Sequence, residues 1–191
     1  HDHIIIYLDS GVRIVYNDPR RFGAIDLVST AKIKSHKWLK KLGPEPLGNQ
    51  FSSYYFYEKI RKRNSSIKAA LMDQTLVAGL GNIYVLEALW LTKISPLRKA
   101  NNVSKSEVEV LTNSIRRVLT LAIKAGGTSL QDFRQAGGEI GYFQRSLSVY
   151  GCLDKQCKNK DCITHMNKNG INMNAYTSLK TIEYYNFILK T

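Results

Sequence analysis

Three groups of residues in this chain have the types and spacing to do chemistry. Asn82 follows Gly79-Leu80-Gly81 and opens a run in which Ile83, Leu86, Trp90 and Ile94 recur at helical spacing. An amide at a helix start, beside first-turn N–H groups, makes a seat for an anion, though the same residues also make an ordinary capped two-helix hairpin. Arg20-Arg21-Phe22-Gly23 follows the strand-breaking Asn17-Asp18-Pro19. Two guanidinium groups and a ring on a loop suit phosphates or base edges, with the ring as a wedge; a surface arginine pair beside a core Phe is the plainer alternative. Cys152, Cys157 and Cys162 fall close together with His165 near the C-terminus. An odd, tight set of this kind fits a metal site or free thiols better than a disulfide framework.

The elements that must position these groups follow from patterning. Ile4 to Leu8 reads as a strand, Asp9-Ser10-Gly11 as a turn, and Val12, Ile14 and Tyr16 alternate on a return strand, with a third run from Ala24 to Val28. A lysine-rich helix is expected around Lys32–Leu42, burying Ile33, Trp38 and Leu39, and a second around Ser53–Lys62, followed by the cations Lys59, Arg61, Lys62 and Arg63. The Gly-Pro break near 43–48 is a natural boundary between units. Residues 67–94 read as two short helices around a glycine-punctuated loop. From Ser104, with Glu107 three residues on, a long helix carries Val108, Leu111, Ile115, Val118, Leu119 and Ala122 as one stripe and stops at Gly126-Gly127.

Composition narrows the partner. Lys and Arg outnumber Asp and Glu by 28 to 15, and the excess is spread along all 191 residues, so a polyanion is expected, nucleic acid before membrane. No apolar run approaches the ~20 residues of a membrane span and no signal-peptide pattern opens the chain, which points to reducing cytosol. The chain opens with His1 and runs directly into an apolar strand, as the continuation of a longer protein would.

The wording of residues 71–90, LMDQTLVAGLGNIYVLEALW, closely resembles the helix–two-turns–helix motif of the formamidopyrimidine-DNA glycosylases and their endonuclease VIII-like relatives. The stretches HDHIIIYLDSG and YNDPRRFGA resemble the second half of the N-terminal β-sandwich of the formamidopyrimidine branch, and residues 126–151 resemble its loop over the everted base. The resemblance implies an α+β fold in three parts: residues 1–29 completing the sandwich, 30–148 a helical domain with the motif at 67–94 and a lesion loop at 134–144, and 149–191 a zinc-finger-like hairpin. It implies that Asn82 binds a DNA phosphate with Lys68 close by, that His1, Arg20 and Arg63 touch DNA, and that Phe22 fills the gap left by a flipped base. Thr128, Gly141, Tyr142 and Phe143 match lesion-loop positions.

The activity so implied is a bacterial base-excision-repair glycosylase and AP lyase for oxidised purines, acting as a monomer on damaged duplex DNA in the cytoplasm at the nucleoid. Its nucleophile is an N-terminal proline beside a glutamate; attack at C1′ expels the base and leads through a Schiff base to β- and δ-elimination. On that match the proline lies upstream of His1, so these residues alone are expected to bind DNA without cutting it. A non-catalytic damage-binding remnant and an endonuclease VIII-like enzyme for oxidised pyrimidines are the alternatives.

The family's zinc finger of two C-x2-C pairs is where the sequence departs. Cys157 stands at the expected first position, but Cys162 gives a C-x4-C spacing and no second pair follows. The finger's Arg falls on Lys180. Three readings stay open: zinc held by Cys157, Cys162, His165 and Cys152; a zinc-free hairpin held by Ile182, Tyr184, Phe187 and Leu189; or a frameshifted tail.

Overall fold

The computed structural model describes residues 1–19, 21–128 and 142–150. They divide into two compact units, His1–Lys40 and the residues from Lys41 onward.

The first unit is an antiparallel hairpin of β1 (Asp2–Tyr7) and β2 (Arg13–Asn17) with Ile5 opposite Val15 and Ile6 opposite Ile14. Asp9-Ser10-Gly11 forms the expected turn, closed by the Leu8 N–H to the Val12 carbonyl at 2.9 Å, with Gly11 at φ +77°. A register shift between Asp2 and Ile4 leaves His3 as the extra residue of a bulge.

Two expectations fail in this unit. Residues 24–28 form no strand: Asp26 instead accepts the Leu27 N–H (2.9 Å), and its other oxygen takes His36 (3.1 Å) and Lys37 (3.6 Å), so local bonds replace a ladder. The helix expected over 32–42 is a 3-10 turn, Thr30–Ser35, and then separate turns. Ser35 Oγ donates to the Lys32 carbonyl (2.9 Å), a short side-chain bond that competes with helical continuation, and His36 is extended. Ile33, Trp38 and Leu39 are therefore exposed rather than buried.

The second unit is helical: α1 (Ser53–Ile60), α2 (Ile67–Met72), α3 (Asn82–Leu91) and α4 (Lys105–Lys124). Ser52 and Ser66 cap α1 and α2 by accepting the N–H groups of Tyr55 and Ala69, and Ser104 with Glu107 forms a complete capping box on α4. The core runs through Phe51, Phe56, Ile60, Leu71, Leu76, Leu86, Leu89, Leu111 and Ile115, all fully buried. The stripe expected on α4 is the buried one, with Leu119 half-buried at its edge. Gly126 and Gly127 end α4 at φ +72° and +84°, a backbone closed to most side chains.

The division falls at Lys40/Lys41, just before the Gly-Pro segment expected to mark it, and that segment packs on the second unit. Gly43 N–H donates to the Gln74 carbonyl (2.9 Å) and Ala78 N–H to that of Pro44 (3.1 Å). The Arg116 guanidinium, projecting from α4, donates to the carbonyls of Pro46, Gly48 and Phe51 at 3.2, 3.2 and 2.7 Å. The chain entering α2 and the chain leaving α3 are likewise joined. Ile67 N–H meets the Arg98 carbonyl (2.8 Å), Ala100 N–H meets that of Ser65 (2.9 Å), and Ser66 and Lys99 form an antiparallel bridge.

Candidate nucleic-acid interface

The α2–α3 connection is built by side chains that bond its backbone. Gln74 Nε2 donates to the carbonyls of Met72 (3.1 Å) and Leu80 (3.0 Å), while its Oε1 accepts the Gly79 N–H (2.8 Å). Asp73 accepts the Thr75 N–H and hydroxyl at 2.9 and 2.6 Å on one oxygen and the Arg63 guanidinium at 2.6 Å on the other. The Thr75 hydroxyl first, then Arg63, holds the Asp73 carboxyl below its ordinary range. Gly79 sits at φ +76°, where a Cβ would be strained.

The N-cap position that the run Gly79-Leu80-Gly81-Asn82 suggests for Asn82 is taken one residue earlier. Gly81 is the N-cap and Asn82 the first helical residue, because the extended conformation belongs to Gly81. Gly81 has no side chain to accept the first-turn N–H groups, so they remain for an outside acceptor, and Asn82 stands half-exposed at their rim. The seat is thus more open than an Asn-capped helix would be. Lys68, in the first turn of α2, is half-buried. Arg63 is committed to its ion pair with Asp73, and Arg61 is paired with Glu58 at 2.8 Å.

In the first unit, Asp18 shapes the loop that presents Phe22. Its carboxylate accepts the Gly23 N–H at 2.7 Å and the Tyr16 hydroxyl at 3.1 Å. The Gly23 N–H, first among the causes, holds the Asp18 carboxyl below its ordinary range; burial, then the hydrogen bond to Asp18, pushes the Tyr16 phenol up. The His3 ring, at the bulge, donates to the Asp18 carbonyl at 3.0 Å. Arg21 lies at φ +56°, and Phe22 is 70% exposed. A Cβ on Gly23 would come within 2.2 Å of the Tyr16 hydroxyl, so glycine is what lets the loop close on Asp18. His1 is exposed at the start of β1; Arg20 lies outside the described residues.

The end of α4 leads to the third group. Thr128 and Tyr142 form an isolated antiparallel bridge, with Tyr142 N–H donating to the Ala125 carbonyl (3.1 Å) and Phe143 N–H to that of Gly127 (3.2 Å). Tyr84, on α3, shares a hydrogen bond between its hydroxyl and that of Thr128 (3.3 Å) and stands 6.0 Å from the Phe143 ring. Phe143 is buried and Tyr142 exposed. Gly141, like Lys180, Cys152, Cys157, Cys162 and His165, lies outside the described residues. Among the described residues no group of three or more His, Cys, Asp or Glu could hold a metal ion.

Glu87 escaped the sequence reading. It is 5% exposed in the middle of α3, and its carboxylate accepts the N–H groups of Ser148 (2.9 and 3.1 Å), Val149 (2.9 Å) and Tyr150 (3.0 Å). The signal was there: a lone charge within Val85-Leu86-Glu87-Ala88-Leu89 is buried with its helix and has to find donors.

Comparison with known proteins places this arrangement. Residues 42–134 match the formamidopyrimidine-DNA glycosylase H2TH domain. The helical unit thus defines a helix–two-turns–helix protein. The formamidopyrimidine-DNA glycosylase of Ruegeria pomeroyi is 53% identical over 162 residues, which are 85% of this chain and 57% of the relative. That of Ruegeria sp. TM1040 is 50% identical over 173 residues, 89% of this chain and 61% of the relative. Among solved structures, the MutM (Fpg) protein of Thermus thermophilus superposes with a TM-score of 0.75 at 36% identity, covering 80% of this chain and 57% of that one. The Lactococcus lactis enzyme, non-covalently bound to DNA with an AP site, gives 0.74 at 41%, covering 84% and 57%. Over its matched residues the chain is similar to the formamidopyrimidine-DNA glycosylases. It spans somewhat under two thirds of the length of these relatives.

Proposed function

We propose that this chain is the DNA-gripping part of a base-excision glycosylase and AP lyase that removes oxidised purines from duplex DNA. The observation that carries the reading is the open first turn of α3, capped by Gly81 with Asn82 at its rim, in a chain half identical to proteins of that name. The Lactococcus lactis relative bound to AP-site DNA and a MutM complexed with DNA containing carbocyclic 8-oxo-G support the partner and substrate class.

Asn82 and the first-turn N–H groups take a backbone phosphate, with Lys68 beside them. His1 and Arg20 take further phosphate, and Arg63 joins them when it exchanges Asp73 for the backbone. Phe22, held out by the Asp18-closed loop, wedges into the stack. Thr128, Gly141 and Tyr142 face the everted base, while Phe143, matched to the same loop, is buried against Tyr84 and anchors the segment from below. Residues 1–29 complete a β-sandwich, 30–148 form the helical domain and 149–191 a degenerate finger in which Lys180 stands for the family's arginine. The protein works as a monomer in the bacterial cytoplasm. The amine that attacks C1′ is assigned to none of these residues. Zinc would take Cys157 and Cys162, but their spacing departs from the two-pair pattern, and no step is routed through a metal.

Binding of the chain to a duplex with a tetrahydrofuran abasic site and to its intact counterpart tests the reading. Asn82→Ala should weaken both about equally, and Phe22→Ala should mainly lower the preference for damage. A wild-type chain that does not discriminate, or equal loss of preference in both variants, refutes it. In the full-length protein, excision of thymine glycol ahead of 8-oxoguanine would move the assignment to the endonuclease VIII-like branch.

A further inference from the structure

Helix α3 does more than present its N-terminus. Within six residues it carries Asn82 at the anion seat, Tyr84 against Thr128 and Phe143, and Glu87 against the backbone of 148–150. Thr128 and Phe143 belong to two chain segments that run side by side through the Thr128–Tyr142 bridge. Tyr84 touches both, one through its hydroxyl and one through its ring. Five residues past Phe143, Glu87 fixes the second of these segments again with three N–H donors. The two strands of this neck are therefore referenced to the helix that seats phosphate rather than only to each other.

We propose that Tyr84 is a positioning residue for damage recognition: its hydroxyl bond to Thr128 sets the neck formed by Thr128, Tyr142 and Phe143 against the α3 phosphate seat. The proposal rests on the DNA-repair reading above. Packing alone would not need the hydroxyl, since the Tyr84 ring already lies on Phe143 and beside Leu119 and Ala122, which line a cavity with it. The hydroxyl adds direction. It admits one placement of Thr128 where an apolar contact would admit several, and Glu87, a buried carboxylate satisfied by backbone N–H groups, does the same for the exit segment at 148–150.

Tyr84→Phe keeps the ring and removes the bond, so the fold should survive with its unfolding midpoint lowered by no more than a few degrees. Measured on the full chain with 8-oxoguanine-containing and intact duplexes, the affinity for intact DNA should stay within about twofold. The preference for the 8-oxoguanine duplex should fall about fivefold, the equivalent of one neutral hydrogen bond. Thr128→Val should reproduce the loss, and the double variant should lose no more than either single one. Unchanged preference, a parallel loss on both duplexes, or independent addition of the two substitutions would overturn the proposal. If the wild-type chain itself does not discriminate, the repair reading falls and takes this one with it; if it discriminates and Tyr84→Phe does so equally well, only this one falls.

Discussion

Replacing Lys93 by glycine should stabilise the helical unit. Helix α3 ends in a full Schellman arrangement: Ile94 N–H reaches the Leu89 carbonyl and Lys93 N–H that of Trp90, both at 3.1 Å. That geometry forces Lys93 to φ +57°, where its Cβ crowds the backbone at a cost of about 1–2 kcal/mol. Glycine removes the crowding but gains entropy in the unfolded chain, about 0.5–1 kcal/mol in the other direction. A lysine near a helix C-terminus also contributes about 0.3 kcal/mol through the helix dipole. The remainder is about 0.5 kcal/mol in favour of glycine, a rise of about 2 °C in the unfolding midpoint. Lys93→Ala is the control, since it discards the same charge and keeps the strain; it should fall below wild type. Chemical and thermal unfolding of the three proteins decides the matter. A glycine variant no more stable than the alanine variant would mean that the left-handed turn costs nothing here.

Other perturbations have equally defined outcomes. Arg116→Ala leaves the carbonyls of Pro46, Gly48 and Phe51 without their shared donor and should cost about 2 kcal/mol in denaturant unfolding. Gly43→Ala would bring a Cβ within 2.6 Å of the Leu76 backbone, where no side chain can yield, and should cost about 1–3 kcal/mol by the same assay. Acid should loosen the helical unit. Arg98 holds the Glu107 carboxyl, and the Thr75 hydroxyl that of Asp73, below their ordinary values of 4.5 and 3.8. Both then stabilise the fold above those values, and the contribution is lost as pH falls through the lowered folded values. Unfolding midpoints measured from about pH 6 down to about pH 3 should drop at the acid end, and less steeply in Arg98→Ala.

What could be read from the sequence depended on whether a local rule was left alone by its surroundings. The long helix α4 lies between core and solvent, so its stripe and its Ser104–Glu107 box survive unchanged from pattern to structure. The α3 helix was placed correctly, but its face was not. Val85 through Leu89 are all buried, so the expected one-sided spacing of Ile83, Leu86, Trp90 and Ile94 dissolves into a helix enclosed on most sides, with Ile83 and Trp90 only half-buried. Enclosure also hid Glu87, whose donors come from residues 148–150, far along the chain. The helix expected over 32–42 breaks where the Ser35 hydroxyl takes the Lys32 carbonyl and His36 turns extended, neither of which the spacing of Ile33, Trp38 and Leu39 announces. Asp18 passed as a strand-breaker, although its bonds to Tyr16 and Gly23 are what shape the loop carrying Phe22.

The zipped entry and exit of the α2–α3 segment have a consequence for descent and for engineering. With Ser65 bonded to Ala100 and Ile67 to Arg98, everything between is a closed cassette whose two ends occupy one spot. Insertions or deletions at the exposed turn around Gly79 would leave the spacing of the flanking helices unaltered, since closing a loop whose ends already meet costs little more as it grows. The rest of the segment is inherited with its scaffold, because Gln74, Ala78 and Glu87 are bonded to Gly43, Pro44 and residues 148–150 outside it.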